Sequence, residues 1–196
     1  MTEAARIQVL KEFDLEIIHQ CRALDQLVYS EKYQSTLEWE LPQIKKNPRS
    51  RVVAWHGDEL IGYAEYIPLT VAAFDKFLTT RDTVFDLLLE EEFISPWIKG
   101  TPVDIYLASM VARPDYQSKG ISLVLLRGLL VALRELKAEG YVLGRMGGTG
   151  VSVAGVHVGE TLLGIGYSHD VAGGVATLGA ADDVVNYLTD YLGWWE

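Results

Sequence analysis

Met110-Val-Ala-Arg-Pro-Asp-Tyr-Gln-Ser-Lys-Gly-Ile-Ser122 joins an apolar strand pattern to an apolar helix pattern. Upstream, Val103 to Val111 is rich in β-branched and aromatic residues and reads as a strand, which Pro114-Asp115 breaks. Downstream, Ile121 to about Glu139 reads as a long helix closed by Gly140. Its polar positions, Arg127, Arg134 and Lys137, form only a narrow stripe, so most of its circumference is expected to be buried at the centre of the fold. The free N–H groups of a helix N-terminus favour an anion, and Gly120 lets one approach the backbone. Ser118 and Ser122 add hydroxyls, and Lys119 and Arg113 add positive charge. This is the composition of a phosphate site built from geometry, although a single glycine at such a turn also serves packing.

Working toward the N-terminus, Arg51–Trp55 and Leu60–Ile67 flank His56-Gly-Asp-Glu59 and read as a β-hairpin. Asp14 stands as a helix N-cap before Leu15, Ile17, Ile18, Cys21, Leu24 and Leu27-Val28. A second helix is expected over Ser35–Ile44, stopped by Lys45-Lys46-Asn47-Pro48, and Ile7–Leu10 is a candidate opening strand. Between hairpin and central strand, Asp75 to Phe93 reads as one helix with Phe77, Leu78, Val84, Phe85, Leu88 and Leu89 as its apolar set. It would end on Glu90-Glu91-Glu92, three acids opposing the helix dipole, which suits a solvated surface run, with cation binding as the alternative.

Toward the C-terminus, Tyr141–Gly144 is expected as a strand and Gly147-Gly-Thr-Gly150 as a glycine-rich turn. A helix over Val151–Leu163, a strand over Val171–Leu178 and a last helix from Asp182 follow, the last with Val184, Leu188, Tyr191 and Leu192 on one stripe. The order predicts an α/β (α+β) fold with a mixed sheet.

The chain has 196 residues, with 27 acids against 17 bases for a net charge of −10. All the bases lie at or before Arg145; beyond it stand only Glu160, Asp170, Asp182, Asp183, Asp190 and Glu196. Such a balance disfavours nucleic acid and anionic membranes as partners. One cysteine, Cys21, excludes an intramolecular disulfide framework and a Cys-rich zinc site. No secretory pattern opens the sequence and no apolar run has the length of a membrane span, so a cytoplasmic address is expected.

Met110-x-Ala112-x-Pro114, then Gln117-x-x-Gly120-x-Ser122 and Leu125-Leu126, resembles the GNAT superfamily of acyl-CoA-dependent N-acetyltransferases. That signature is Gln/Arg-x-x-Gly-x-Gly/Ala after a strand ending in apolar-x-apolar-x-Pro; Ser122 departs from it at a position where a small residue suffices. The motif covers about a fifth of the chain, and the order of elements extends the match to most of it. The resemblance implies a single GNAT-like domain over residues 1–196, with a helical insertion at about 75–100. Its sheet would be central, twisted and mostly antiparallel, with a splayed strand pair and flanking helices.

It also implies acetyl-CoA as cosubstrate and no metal. Gln117, Ser118, Lys119, Gly120, Ile121 and Ser122 would surround the pyrophosphate, and Met110, Val111 and Ala112 would pair with the pantetheine arm. The acceptor would be a small-molecule or peptide amine, and the acidic final quarter favours a cationic one. The proton-handling residues fit the family less well. Tyr106 stands where a carboxylate is common, and an ordinary phenol is a poor base at neutral pH. Asp104 and Glu65 are neighbouring candidates. Leu162 falls where a tyrosine acid is usual and Gly155 where an asparagine is; His157 is the nearby titratable group. Tyr106 and His157 are therefore the catalytic candidates, and a CoA-binding sensor or interaction module without turnover is the alternative. The apolar end Tyr191–Trp195 is a candidate homodimer surface.

Overall fold

The structure, a computed structural model, describes residues 5–82, 85–172 and 174–193. Val84, Trp194, Trp195 and Glu196, named above, lie outside the described residues. The chain forms two compact units. The first takes the residues up to Glu65 together with Ser109–Ala132; the second takes Tyr66–Ala108 and the residues from Leu133 on.

In the first unit the strands are β1 (Arg6–Val9), β2 (Arg51–His56), the start of β3 (Glu59–Leu69) and the end of β4 (Pro102–Ala112), in that spatial order. β1 and β2 pair antiparallel, as do β2 and β3, with Arg51 opposite Glu65 and Val53 opposite Tyr63. Gly57, at φ +60°, opens the turn between β2 and β3. The backbone N–H of Arg113, just past β4, donates to the Ile61 carbonyl at 2.9 Å, setting the end of β4 against the start of β3.

Helix α1 (Leu15–Val28) begins where Asp14 accepts from the N–H groups of Glu16 and Ile17, as its position before the apolar stripe predicts. Its buried side chains Ile17, Cys21 and Leu24 pack with Val53, Leu60, Tyr63 and Val111. Helix α2 (Leu37–Lys46) is capped by the Thr36 hydroxyl. The opposite face of these strands meets the first half of α4 (Ile121–Ala138): Ile121 and Leu125 pack with Ala54, Ile61 and Ala64. A Cβ on Gly128 would stand 2.2 Å from Val52 Cγ1, so α4 lies as close to β2 as a backbone allows. Only Val131 of its large apolar side chains is exposed, which fits the narrow polar stripe.

The second unit orders β4, β5 (Val142–Gly150), β7 (Gly174–Ala180) and β6 (Gly166–Val171). β4 and β5 pair in parallel from Pro102–Val142 as far as Leu107–Gly148, while β4 continues to Ala112. β5 with β7 and β6 with β7 pair antiparallel. The whole is a mixed, mostly antiparallel sheet flanked by helices, the α/β class expected. Among the described residues no helix is long and apolar enough to cross a membrane.

Several elements differ from those the sequence predicts. Gly147–Gly150 is the second half of β5, not a turn. Gly147 is needed there because a Cβ would come within 2.7 Å of both the Phe77 ring and the Thr177 carbonyl. The expected single helix at Asp75–Phe93 is instead α3 (Val71–Thr79), started by the Thr70 hydroxyl cap and ended by extended backbone at Thr80. Short 3₁₀ turns follow at Phe85–Leu88 and Glu91–Phe93, so the three glutamates do not end a helix; all three are exposed. The expected helix at Val151–Leu163 divides into α5 (Val153–His157) and one π-helical turn, Val158–Leu162. The single strand expected at Val171–Leu178 is the β6–β7 hairpin, followed by α6 (Ala181–Gly193).

Candidate functional site

The quoted segment folds tightly. Pro114–Tyr116 makes a 3₁₀ turn in which the Tyr116 N–H donates to the Arg113 carbonyl at 2.9 Å. The Gln117 side-chain amide turns back and donates to the Ala112 carbonyl at 3.3 Å, tying the motif glutamine to the end of β4. Ser118 at φ +64° and Gly120 at φ +81° are both left-handed, and together they swing the chain into α4. Nothing lies within 4 Å of where a Gly120 Cβ would be, so glycine serves the backbone angle there rather than packing.

The Leu123 N–H donates to the Gly120 carbonyl at 3.0 Å, and the Lys119 N–H to the Tyr116 carbonyl at 3.2 Å. The N–H groups of Gly120, Ile121 and Ser122 therefore form the open end of α4, where no earlier helical carbonyl can receive them. Among the side chains of the turn, Arg113 differs from expectation. Its guanidinium is bidentate to Asp115, at 2.6 Å on each arm, and is also paired with Glu59. That hydrogen bonding holds the Asp115 carboxyl below its ordinary range and raises the Arg113 guanidinium. Arg113 thus adds little net charge to the turn. The positive charge comes from exposed Lys119, whose ammonium lies 5.0 Å from the Tyr116 ring centre. Tyr116 is fixed in turn by its hydroxyl, 2.5 Å from His56 Nδ1.

Val111 is buried on the α1 face of β4, while Met110 and Ala112 pack with the α4 cluster on the other face. Met110, Val111, Ala112 and Gln117 to Ser122 are thus brought together within one unit.

The catalytic candidates Tyr106 and His157 belong to the second unit. Tyr106 is fully buried among Phe77 and Phe85, with ring centres 5.3 and 5.1 Å away, and its hydroxyl donates to Thr149 Oγ1 at 3.1 Å. His157 is exposed at the last residue of α5. Asp104 is buried and locked: it accepts the Arg145 backbone N–H at 2.8 Å and the guanidinium at 2.6 Å. Arg145 also reaches Asp75 at 2.8 Å.

Glu65 belongs to a buried polar cluster under α1 and α2. Arg51, 3% exposed, pairs with Glu65 at 2.9 Å and Glu40 at 3.4 Å; Arg22 pairs with Glu40 at 3.0 Å. Burial raises the Glu65 carboxyl, and Arg51 opposes that rise. Beside them the Tyr63 hydroxyl donates to Asp25 Oδ1 at 2.5 Å. Burial pushes the Asp25 carboxyl up to about 7, against the pull of the Tyr63 hydrogen bond; Glu65 and Glu40 raise it further and Arg51 lowers it. Sequence reading missed this pair because its members stand 38 residues apart. One signal was present: Asp25 follows Ile17 and Cys21 at helical spacing, an acid set on the apolar side of α1. Among the described residues no three His, Cys, Asp or Glu side chains gather as a metal ion would need.

The description of the acetyltransferase (GNAT) family matches residues 18–147. No curated protein sequence matches the chain. Several solved structures share its fold. The GphF GNAT-like decarboxylase in complex with isobutyryl-CoA is 15% identical with a TM-score of 0.61, over 89% of this chain and 98% of that one. Ard1 from Thermoplasma volcanium is 13% identical with a TM-score of 0.55, over 89% and 95%. The loading GNATL domain of CurA from Lyngbya majuscula is 16% identical with a TM-score of 0.54; the match covers 75% of this chain and 65% of that one. At these identities the structures speak for the fold. The family match spans more than half of the chain and contains the whole β4–turn–α4 segment, and on it the chain belongs to the acetyltransferase (GNAT) family of acyltransferases.

Proposed function

We propose that the protein transfers an acetyl group from acetyl-CoA to a primary amine of a small cationic molecule or a peptide, working in the cytoplasm. The observation that carries this reading is the open N-terminus of α4. Its Gly120, Ile121 and Ser122 N–H groups and the exposed Lys119 follow directly on the end of β4. A helix N-terminus of this build suits a pyrophosphate without requiring a basic protein. Met110, Val111 and Ala112 continue β4 beyond its last paired residue with β5, leaving main-chain groups for pantetheine amides to pair with. Gln117 supports the site by holding the Ala112 carbonyl. The preference for a cationic acceptor rests on the acidic final quarter of the chain, which carries no Lys or Arg after Arg145.

The alternative, a CoA-binding module without turnover, is favoured by the placement of Tyr106, whose hydroxyl is buried and engaged with Thr149. Titration calorimetry with acetyl-CoA and a free-thiol assay across an amine panel separate the readings. Binding with thiol release supports transfer. Binding without release from any amine supports the module. No binding at millimolar acetyl-CoA overturns both. Gly120→Asp is expected to abolish binding while leaving the far-UV spectrum unchanged.

A further inference from the structure

We propose that Asp25 is the group that takes the proton from the attacking amine, with Tyr63 as the positioning residue that holds its carboxylate. The inference rests on the acetyl-transfer reading above and assigns it a base that the β4 strand does not supply.

The Arg113 N–H to Ile61 carbonyl bond sets the antiparallel start of β3 against the end of β4. Two residues along each strand, Tyr63 comes opposite Val111, and the two side chains pack in one cluster with Leu24 of α1. Val111 lies within the segment proposed to hold the pantetheine arm. The pyrophosphate site is at the N-terminus of α4, which packs on the opposite face. An acceptor approaching from the α1 face therefore meets the side that carries Asp25. Tyr63 is 1% exposed and Asp25 is partly exposed, so of the two it is Asp25 that borders solvent.

The groups facing Asp25 come from four elements: Cys21 on α1, Glu40 on α2, Arg51 on β2, and Tyr63 and Glu65 on β3. Arg51 is already shared between Glu65 and Glu40, and Glu40 also holds Arg22 and the Ser35 hydroxyl. The two guanidiniums are thus matched by two glutamates, and Asp25 is the carboxyl left to gain and lose a proton near neutrality.

The step balances. The amine nitrogen bonds to the thioester carbon, the carbon–sulfur bond breaks, and its electron pair leaves on the CoA thiolate. Asp25 accepts the proton from nitrogen and later returns it to solvent, while the thiolate takes one from water.

Thiol release from acetyl-CoA is measured from pH 5 to 9 with spermidine and with a lysine peptide as probes, alongside calorimetric acetyl-CoA binding. The wild type is expected to gain rate as pH rises through about 7, where the Asp25 carboxylate becomes available. Asp25→Asn is expected to bind acetyl-CoA unchanged, lose at least roughly a hundredfold in rate, and lose that limb. Tyr63→Phe removes a hydrogen bond that favours the carboxylate, so its limb is expected to move to higher pH. A merely structural role for the pair would change melting temperature and leave the limb in place. If Asp25→Asn does not fold, the Tyr63→Phe limb decides. An unmoved limb in Tyr63→Phe, or an Asp25→Asn rate near wild type, overturns the assignment and leaves the acetyl-transfer reading standing. Wild-type protein that binds acetyl-CoA but releases no thiol overturns both, since no amine proton then needs a base.

Discussion

The Tyr106 hydroxyl donates to Thr149 Oγ1 at 3.1 Å, joining neighbouring strands β4 and β5 through side chains as well as backbone. Phe77 and Phe85 close around the ring edge-on, and Gly147 makes room for the Phe77 ring. This arrangement makes Tyr106 a packing residue first. Tyr106→Phe is expected to cost about 1 kcal/mol in denaturant unfolding, the value of one neutral hydrogen bond. Thiol release is expected to stay within about threefold of wild type, far less than the loss of a proton relay. A much larger fall would return Tyr106 to the chemistry.

Gly120 can be tested apart from sterics. Its φ of +81° disfavours any side chain, yet nothing lies within 4 Å of a Cβ. Gly120→Ala is therefore expected to destabilise the fold by only about 1 to 2 kcal/mol, from backbone strain alone. Acetyl-CoA affinity is expected to fall as well, because relaxing that strain turns the Ile121 and Ser122 N–H groups away. Calorimetry and urea unfolding on one preparation check both.

Asp104 accepts three hydrogen bonds from Arg145, one from its backbone and two from its guanidinium, in a position 6% exposed. Asp104→Asn leaves Arg145 with Asp75 as its remaining carboxylate partner. Since Arg145 is about one-third exposed, water recovers part of the loss, and a cost of about 2 kcal/mol is expected in urea unfolding.

Asp25 links stability to pH. Its carboxyl titrates near 7 in the fold and near 4 in the unfolded chain, so the folded state binds the proton more tightly. Its contribution is most favourable at low pH, declines as pH rises from about 4 to about 7, and is fully lost above that. Asp25→Asn keeps an acceptor for Tyr63 and lacks this dependence. Its stability relative to wild type is expected to improve with pH across that window, by at most about 4 kcal/mol. Urea midpoints of both proteins at pH 5, 6, 7 and 8 check the trend.

Elements defined by local signals were legible in the sequence. Asp14 before an apolar stripe starts α1, Gly140 closes α4 at φ +93°, and Gly57 turns the first hairpin. The insertion misled because its apolar spacing continues past Thr80, where the backbone leaves the helix while Phe85 is still buried. Glycines at 147–150 suggested a turn because propensity cannot see that β7 supplies their ladder partners and Phe77 the crowding.

The candidate site divides in the same way. The strand–turn–helix at residues 110–122 is contiguous, so its left-handed glycine, its motif glutamine and its open helix end could be read from order alone, and these carry the family and the anion site proposed above. Which charges remain available there was decided by tertiary structure. Arg113 is taken up by Glu59 of β3 in addition to its near neighbour Asp115, and Asp104 by Arg145 of β5. The Tyr63–Asp25 pair also exists only after folding, because a hydrogen bond across 38 residues of chain requires α1 to lie on β3. Backbone geometry is written locally; burial and the pairing of charge are properties of the packed whole.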